Sequence, residues 1–464
     1  MPTLAPITKQ AFYQYLKCPS WIAHAAKVNH REDDLRFRLQ QDGLLQEVER
    51  EILKKRGQIV EVENSDPEEM VGKTLELMRE GVKTIYAGAL VHGRYIARPD
   101  MLERVEGKSK FGEYYYVTCD IKRSRHLKEE YMFQGAFYAD VLEKIQGVRP
   151  VRSYIMNPKG EIQAYDIADV EVKYRLTLDS IERILDGEEE PHFLTSDCKQ
   201  SPWFAKCVAH AEGCDDLSRL NRLWRSEADA LRESGIRTVE ELAKAGEAEI
   251  NARISGITAE RLHYVHLQAR ALVEKRAFRL SEPQLSDDRV ALVIDIESDP
   301  LRDLHYLFGV LEVNGDQAVF RKFLARTPQE EKAAWEEFCA YIRGFIGTPM
   351  YHYGWYEQDV FRVMAERHGA PEVVRSMLVE QGIDLLTIIR DSVILPLSFY
   401  SLKDIAKYAG FSWRHDDASG LNSVLWYEEF LKTGDEAVLQ DIVHYNEDDV
   451  LATWHVRKWL TSIR

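Results

Sequence analysis

Asp120 and Lys122, in the stretch "YVTCDIKRS" at 116–124, place an acid and an amine two residues apart on what reads as a strand. Strand alternation puts both on one face and sends Cys119 and Ile121 to the other. Asp100, in "RPD" at a strand end or bend, supplies a second acid, and the interval to Asp120 suits a short strand-turn-strand. Hard divalent cations want clustered carboxylate oxygens. These acids are therefore candidates to hold Mg²⁺ or Mn²⁺, which polarises a scissile phosphate and activates a water, while the lysine orients that water or supports the developing charge. Gln134 and Tyr138 follow on a helix, one turn apart on one face. Near the C-terminus "VIDIES" closes an apolar strand with Asp295 and Glu297 on the same side, and "HYNEDDVLAT" offers Tyr445 and Asp449 four apart on a helix. A third group is made of sulfur: Cys18 far upstream, then Cys198, Cys207 and Cys214 close together.

Taken in order, Asp100, Asp120 and Lys122 match the pattern of the PD-(D/E)XK nucleases, and "QGAFY" (134–138) matches the Q-x-x-x-Y signature of the RecB-like branch. A lone D-x-K is common by chance, and the bland alternative is an exposed ion pair with a Gln and a Tyr bordering the core. The five residues together resemble the nuclease. RecB-like enzymes often carry an upstream helix with Gly-x-x-His and a nearby acid; "GLLQE" gives Gly43, Gln46 and Glu47, so the histidine is absent and Glu47 is the candidate ligand. The D-x-E of Asp295 and Glu297 with the late Y-x-x-x-D of Tyr445 and Asp449 resembles the DEDD exonucleases of the DnaQ type, on an RNase H-like fold. The resemblance implies four carboxylates holding two metals, with the tyrosine positioning the water. The middle motif, normally His-Asn-x-x-x-Asp, is here "HYGWYE", with Glu357 in the place of the Asp and with Asp359 and Asp384 ranking lower. The alternative is a strand end in a fold that only grips nucleic acid.

The cysteines resemble the iron–sulfur staple of several RecB-family nucleases, including the CRISPR-associated ones, and "YLKCPSW" sits where that family has its first cysteine. This implies a [4Fe–4S] cluster on Cys18, Cys198, Cys207 and Cys214 that ties the first helix to the end of the domain. Ser201 stands where a second close cysteine is expected. Zinc suits the same ligands, with His210 as a spare, and buried free thiols are the remaining reading. Cys119 and Cys339 read as core residues.

The elements that must position these residues follow from periodicity. Residues 1 to about 80 read as helices, "ITKQAFYQYLKCPSWIAHA" and "LRFRLQQDGLLQEVEREILKKRG", the latter capped by Gly57. "IYAGALV", "RYIARPDMLERV" and "EYYYVTCDIKRS" read as three strands, and "LKEEYMFQGAFYADVLEKIQG" as a helix closed by Gly147. "VRSYIMNP" and "EIQAYDI" suggest a hairpin, followed by a charged helix to about residue 187. Residues 196–284 read as helices. "ESGIRTVEELAKA" and "ISGITAERLHYVHLQARALVEKR" each place a Thr where an N-cap belongs, which resembles a helix-hairpin-helix module; a helical linker is the alternative. "RLSEPQLSDDR" reads as a linker. Beyond it come the strands "RVALVIDIES", "LHYLFGVLEV" and "DQAVFRKFLA", a helix capped by Thr327, the strand "TPMYHYGWYE" into a helix, and a long last helix.

The 464 residues suit several domains, and 45% hydrophobic with 30% charged residues describes an ordinary globular chain. No apolar run reaches the ~18 residues that span a membrane, the N-terminus lacks a secretory pattern, and six cysteines do not make a disulfide scaffold, so the expected compartment is the cytoplasm. A net charge of −16 argues against a nonspecific nucleic-acid coat protein. The basic stretches "HGRYIARPD" and "KRSRHLK" and the aromatics Tyr353, Trp355 and Tyr356 lie beside the two acid groups, where phosphate contact and base stacking compete with ordinary solvation and packing. No P-loop, G-x-G-x-x-G or Gly-x-Ser-x-Gly occurs. The expectation is an α/β multidomain chain: a restriction-endonuclease-like, RecB-type core at 1–195, a helical region at 196–284 and an RNase H-like domain at 285–464. By resemblance it is a Mg²⁺- or Mn²⁺-dependent nuclease acting on DNA more than RNA, trimming single strands at one centre and degrading 3′ ends at the other. The alternative is a nucleic-acid-binding accessory protein with inert centres.

Overall fold

The computed structural model describes residues 5–27, 59–63, 66–122, 127–157, 160–189, 192–248, 250, 254–285, 289–299, 302–414 and 420–463. The chain divides into two units, Met1–His210 and Ala211–Arg464. Among the described residues no helix is long and apolar enough to cross a membrane.

The first unit is built on a mixed six-stranded sheet in the order β1-β2-β5-β6-β7-β8. Its strands are β1 (Ile59–Glu61), β2 (Thr84–Tyr86), β5 (Met101–Ser109), β6 (Gly112–Ile121), β7 (Arg152–Met156) and β8 (Ile162–Asp166). Strands β3 (Leu90–His92) and β4 (Tyr95–Ala97) form a separate hairpin turned at Gly93. The helices are α1 (Lys9–Lys17), α2 (Ser20–Lys27), α3 (Pro67–Glu80), α4 (Glu129–Gln146), α5 (Glu171–Leu185) and α6 (Phe204–Gly213). The β-branched and aromatic run Tyr114–Thr118 makes β6 a central strand, antiparallel to β5 and parallel to β7. The parallel step is made possible by the α4 crossover. Helix α4 ends as expected at Gly147, whose φ of 78° lets its N–H return to the Glu143 carbonyl. Phe12 of α1 packs against Phe133 and Phe137 of α4 and Tyr174 of α5, which fixes α1 over the same core.

Three expectations are corrected here. Residues 59–61 are not helical: Ile59 and Val60 form an edge strand paired in parallel with β2. "IYAGALV" and "RYIARPDMLERV" are each two strands. The first breaks at Ala87, at a φ of 55°, and the second breaks around Pro99, which has no N–H for the ladder. The expected helix with its Gly57 cap lies outside the described residues.

In the second unit, five strands are ordered β12-β11-β10-β13-β14. They are β10 (Val290–Asp299), β11 (Leu304–Asn314), β12 (Gln317–Leu324), β13 (Met350–His352) and β14 (Ile383–Asp384), with the first three antiparallel and β13 and β14 parallel to β10. A small pair, β9 (Phe278–Arg279) and β15 (Val393–Ile394), lies apart. The helices are α7 (Arg225–Glu233), α8 (Val239–Lys244), α9 (Ala259–Glu274), α10 (Glu331–Ile342), α11 (Tyr356–His368), α12 (Glu372–Val379), α13 (Leu385–Ser392), α14 (Leu402–Tyr408), α15 (Gly420–Thr433) and α16 (Glu436–Ser462).

Strand β10 is apolar almost throughout because both its faces are covered. Leu292, Ile294 and Ile296 pack with α10, α11 and α15, whereas Ala291 and Val293 pack with Val450 and Trp454 of α16. Thr238 and Thr258 do cap α8 and α9, accepting from the amides of Glu241 and Arg261. Thr327 makes no side-chain cap. It precedes a 3₁₀ turn, Pro328–Glu330, and Glu330 accepts the Arg326 amide.

Candidate functional site

Asp295 and Glu297 stand on the β10 face that meets α16, and α16 brings Asp449 back to them. One carboxylate oxygen from each of the three lies within 4.8 Å of the others, the one such triad among the described residues. Glu357, at the start of α11, is buried beside them, and its Oε2 has no hydrogen-bond partner among the described residues. His352 Nδ1 is 3.7 Å from that oxygen but donates to the Gly354 carbonyl at 2.7 Å instead. Helix α16 can come this close because the residue opposite Asp295 in the ladder is Gly309. A Cβ there would overlap Asn446 Oδ1 and lie 2.8 Å from its Cγ. Asn446 uses the room to donate from Nδ2 to Asp295 at 2.6 Å. Trp413 Nε1 donates to Asp449 at 2.7 Å, and Tyr445 is hydrogen-bonded to the same carboxylate.

The electrostatics of this cluster are those of acids crowded in a dry place. Burial pushes Asp449 up to about 6. Burial and the Asp449 charge carry Glu297 to about 8. Burial, then Asp384, Asp449 and Glu297, carries Glu357 to about 8. Asp295 lies well above the carboxylate range, through burial and then the other three acids. Lys403, over the rings of Trp413 and Tyr445 at 5.7 and 5.4 Å, offsets Glu297 and Asp449 only in part. Hard oxygen donors, mutual repulsion and an unpartnered oxygen are what a divalent cation satisfies. Asp295, Glu297 and Asp449 fit such an ion, with Glu357 as a fourth donor. Asp384, one of the lower-ranked alternatives, caps α13 through Leu386 N and accepts the Gly354 amide. Asp359 lies on α11 within 3.7 Å of Arg362.

In the first unit the register Met101↔Cys119 brings Asp100 to Asp120. The two interlock through backbone amides: Asp100 N donates to Asp120 Oδ1 at 3.0 Å and Ile121 N donates to Asp100 Oδ2 at 2.7 Å. Lys122 Nζ donates to both Asp120 Oδ2 and Gln134 Oε1 at 2.9 Å, and Tyr138 donates to the Arg98 carbonyl at 3.2 Å. Cys119 and Ile121 pack on the opposite face with Met101 and Met156. Gly135, beside Gln134, is the close-approach point: a Cβ there would overlap the Tyr165 hydroxyl and lie 2.7 Å from Ser153 Cβ. A sixth residue that motif reasoning missed is Lys9 of α1, 3.7 Å from Asp100 Oδ1 and hydrogen-bonded to Tyr138. The two acids diverge in character. Burial and the Asp120 charge raise Asp100, whereas for Asp120 the Lys122 and Lys9 ammoniums outweigh burial and lower it. Asp100 and Asp120 would be the residues to hold a magnesium-type ion there. Glu47 lies outside the described residues.

The sulfur group assembles in part. Cys18, at the C-cap of α1, Cys198, in the 3₁₀ turn Ser196–Gln200, and Cys207, on α6, are all buried. Hydrogen bonds from the Cys18 and Cys207 thiols hold Cys198 far below the usual thiol range, and both donors are raised by it. Cys214 follows directly on the last residue of α6, is exposed, and its Sγ faces the Ala211 carbonyl at 4.0 Å. His210 meets the ring of His192 at 4.8 Å. The thiols joined by hydrogen bonds are thus those of Cys18, Cys198 and Cys207.

Asn446, Gly309, Trp413 and Lys403 also went unmarked in the sequence. Asn446 alone had a local signal, since it sits three residues before Asp449 on the same helix. A family model of the RNase H superfamily, RNase_H_2, matches residues 292–461, which take in all four acids of the second unit. The C-terminal part of the chain is therefore an RNase H-like domain. No curated protein gives a significant match to the chain.

Proposed function

We propose that the protein is a metal-dependent nuclease acting on DNA, with an RNase H-like centre at Asp295, Glu297, Glu357 and Asp449 and a second, RecB-like centre at Asp100, Asp120 and Lys122. The observation that carries this is the largely buried carboxylate cluster, three of whose oxygens converge within 4.8 Å inside a domain of the RNase H superfamily. Mg²⁺ or Mn²⁺, when bound, polarises the scissile phosphate and lowers the pKa of a bound water. The protein's own part is to hold the donors in place. Asn446 fixes Asp295, Trp413 fixes Asp449, and Gly309 admits the helix that carries both Asn446 and Asp449. Tyr445, hydrogen-bonded to Asp449, would orient the attacking water. At the first centre Lys122 is locked between Asp120 and Gln134, so its ammonium orients a water or meets the charge developing on the phosphate. Lys9 adds a second cation there.

The test is cleavage of labelled single-stranded and duplex DNA and RNA with Mn²⁺ or Mg²⁺, comparing wild type, Asp120→Ala, Asp295→Ala and the double variant. Cleavage that persists in part in each single variant and is lost in the double variant supports two live centres. Survival in Asp120→Ala but not in Asp295→Ala leaves the RNase H-like centre alone. Wild-type protein that leaves every substrate intact with both ions would refute the enzyme in favour of a nucleic-acid-binding accessory protein.

A further inference from the structure

The aromatic residues of "HYGWYE" take three different environments in the fold. Tyr353 is a packing residue: its ring joins the core between β10 and α16, and its hydroxyl donates to the Tyr400 carbonyl at 2.9 Å. Trp355 is the opposite case, 71% exposed, more than any other described tryptophan. An indole is among the largest apolar surfaces a side chain can bury, so its exposure beside a buried acid group asks for an occupant. The backbone that presents it is fixed. Gly354, at a φ of 93° that suits glycine, donates its amide to Asp384 at 2.8 Å, and its carbonyl accepts from buried His352 at 2.7 Å. The Trp355 carbonyl accepts the Asp359 amide and so starts α11. This turn leaves Trp355 in solvent while Glu357, two residues on, is buried with the acids. Tyr356, between them, is partly exposed and tethered. Its hydroxyl is hydrogen-bonded to Ser298, the residue after Glu297, and Ser298 is bonded to His305 Nδ1 at 2.7 Å. Its phenol lies in the field of Glu297, Glu357 and Asp295. The Trp355 and Tyr356 rings meet with centroids 6.4 Å apart and planes at 76°, a corner at the rim of the acid cluster.

We propose that Trp355, with Tyr356 as the adjoining wall, is a stacking platform for an unpaired nucleobase of the strand presented to the second centre, which makes single-stranded nucleic acid the substrate of that centre. The inference rests on the nuclease reading given above. Charge explains why an aromatic group serves here. The cluster sets four carboxylates against Lys403, so the side chains themselves offer a polyanion little attraction, and a cation on the acids takes only the reacting phosphate. Stacking grips the strand without charge, and it tolerates any sequence because every base has a π-face. A base within a duplex has both faces covered by its neighbours, so only an unpaired or frayed base can lie on the indole. The fixed turn at Gly354 spares the platform the cost of ordering when the base arrives.

The experiment is fluorescence anisotropy of the full chain with a labelled oligodeoxythymidylate, in Ca²⁺ in place of Mg²⁺, with the oligomer recovered afterwards to confirm that it is uncut. Trp355→Ala, at an exposed position, is expected to keep the wild-type melting temperature and to bind the single strand at least about fivefold more weakly. Trp355→Phe, which keeps a ring face, recovers most of that loss, and Trp355→Leu, which keeps only apolar bulk, does not. On an abasic oligomer of the same length wild type and Trp355→Ala bind alike, and a blunt duplex shows no difference between them. Unaltered single-strand affinity in Trp355→Ala would overturn the platform; self-association that this variant abolishes would then assign the indole to a second copy of the chain. Equal losses on single strand and duplex would overturn the unpaired base. The expected binding pattern in a wild type that cuts nothing in Mg²⁺ or Mn²⁺ would refute the nuclease reading and leave the platform standing, whereas cleavage with unaltered affinity in Trp355→Ala would refute the platform alone. Wild type that binds no nucleic acid would overturn both.

Discussion

Gly309 is the residue on which the second unit's acid cluster rests, and Gly309→Ala is its sharpest perturbation. The added methyl would overlap Asn446 Oδ1, lie 2.8 Å from its Cγ and 3.1 Å from Phe320 Cε2. Asn446 is fully buried and cannot turn outward. Either α16 retreats or the Asn446 side chain leaves Asp295. Overpacking costs about 1–3 kcal/mol, and losing a hydrogen bond costs about 0.5–1.5 kcal/mol more. A combined loss of about 3 kcal/mol lowers the melting temperature of a domain of this size by about 6–12 °C. Asp295 also loses the bond that opposes its protonation, so Mn²⁺ affinity by calorimetry is expected to fall at least about tenfold. The double variant Gly309→Ala/Asn446→Ala separates the causes. Alanine at 446 removes the overlapped atoms, so the second methyl adds little beyond the cost of Asn446→Ala alone, and the single costs exceed the double by about 1–3 kcal/mol. If Gly309→Ala keeps the wild-type melting temperature and Mn²⁺ affinity, or if the two costs simply add, then Gly309 does not set the approach of α16.

The acids set a pH dependence. Because Glu297 and Glu357 stand at about 8 in the folded chain against 4.5 in their unperturbed state, their stabilising contribution is complete below about pH 4.5 and is lost as the pH rises through about 8. In EDTA the melting temperature is expected to fall between pH 5.5 and 8.5, and Mn²⁺ to restore it most at the alkaline end; a melting temperature in EDTA that is flat or rises over that range would contradict the crowding. Trp413→Phe removes the donor that opposes the rise of Asp449, so the pH at which Mn²⁺ half-saturates should move up, as titration at several pH values will show. Lys9→Met removes the second cation from the first centre. Cleavage measured in an Asp295→Ala background should drop about 100-fold, with Lys9→Arg retaining more of it than Lys9→Met.

The legible parts of both sites are those whose geometry is local. Asp295 and Glu297 close an apolar run with a period of two, so their shared face needs only strand alternation, and Gln134 and Tyr138 need only a helical turn. Gly147 ends α4 because a helix stop is written in one residue. What escaped depends on packing between distant segments. Lys9 reaches Asp100 only because Phe12 seats α1 on Phe133 and Phe137. Gly309 looks like any strand glycine until Asn446, more than 130 residues later, is laid against it. Helices α12 to α15 were not anticipated, and the break between β2 and β3 falls on Ala87, which carries no left-handed signal in its residue type. Cys214 and His24 show the same limit in reverse. Sequence proximity favoured Cys214, which ends up exposed just past α6, whereas the imidazole that meets Cys207 is 183 residues away.

The two acid groups solve charge burial in opposite ways, and this decides what each asks of a metal. In the first unit two carboxylates face two lysines and two backbone amides. The group is close to neutral before any ion arrives, and Asp120 is held ionised by its neighbours. An ion there must compete with Lys122 and Lys9 for the same oxygens, so binding implies that the ammoniums move aside toward a phosphate that compensates them. In the second unit four carboxylates face Lys403, and three of them are pushed to about 6 or 8. Charge there is relieved only by protons or by a cation. On the proposed function, metal binding at the second site would be coupled to proton release and would raise stability directly, whereas at the first it would be coupled to the arrival of a polyanion. On the proposed function, one chain would carry a centre poised by its metal and a centre poised by its substrate.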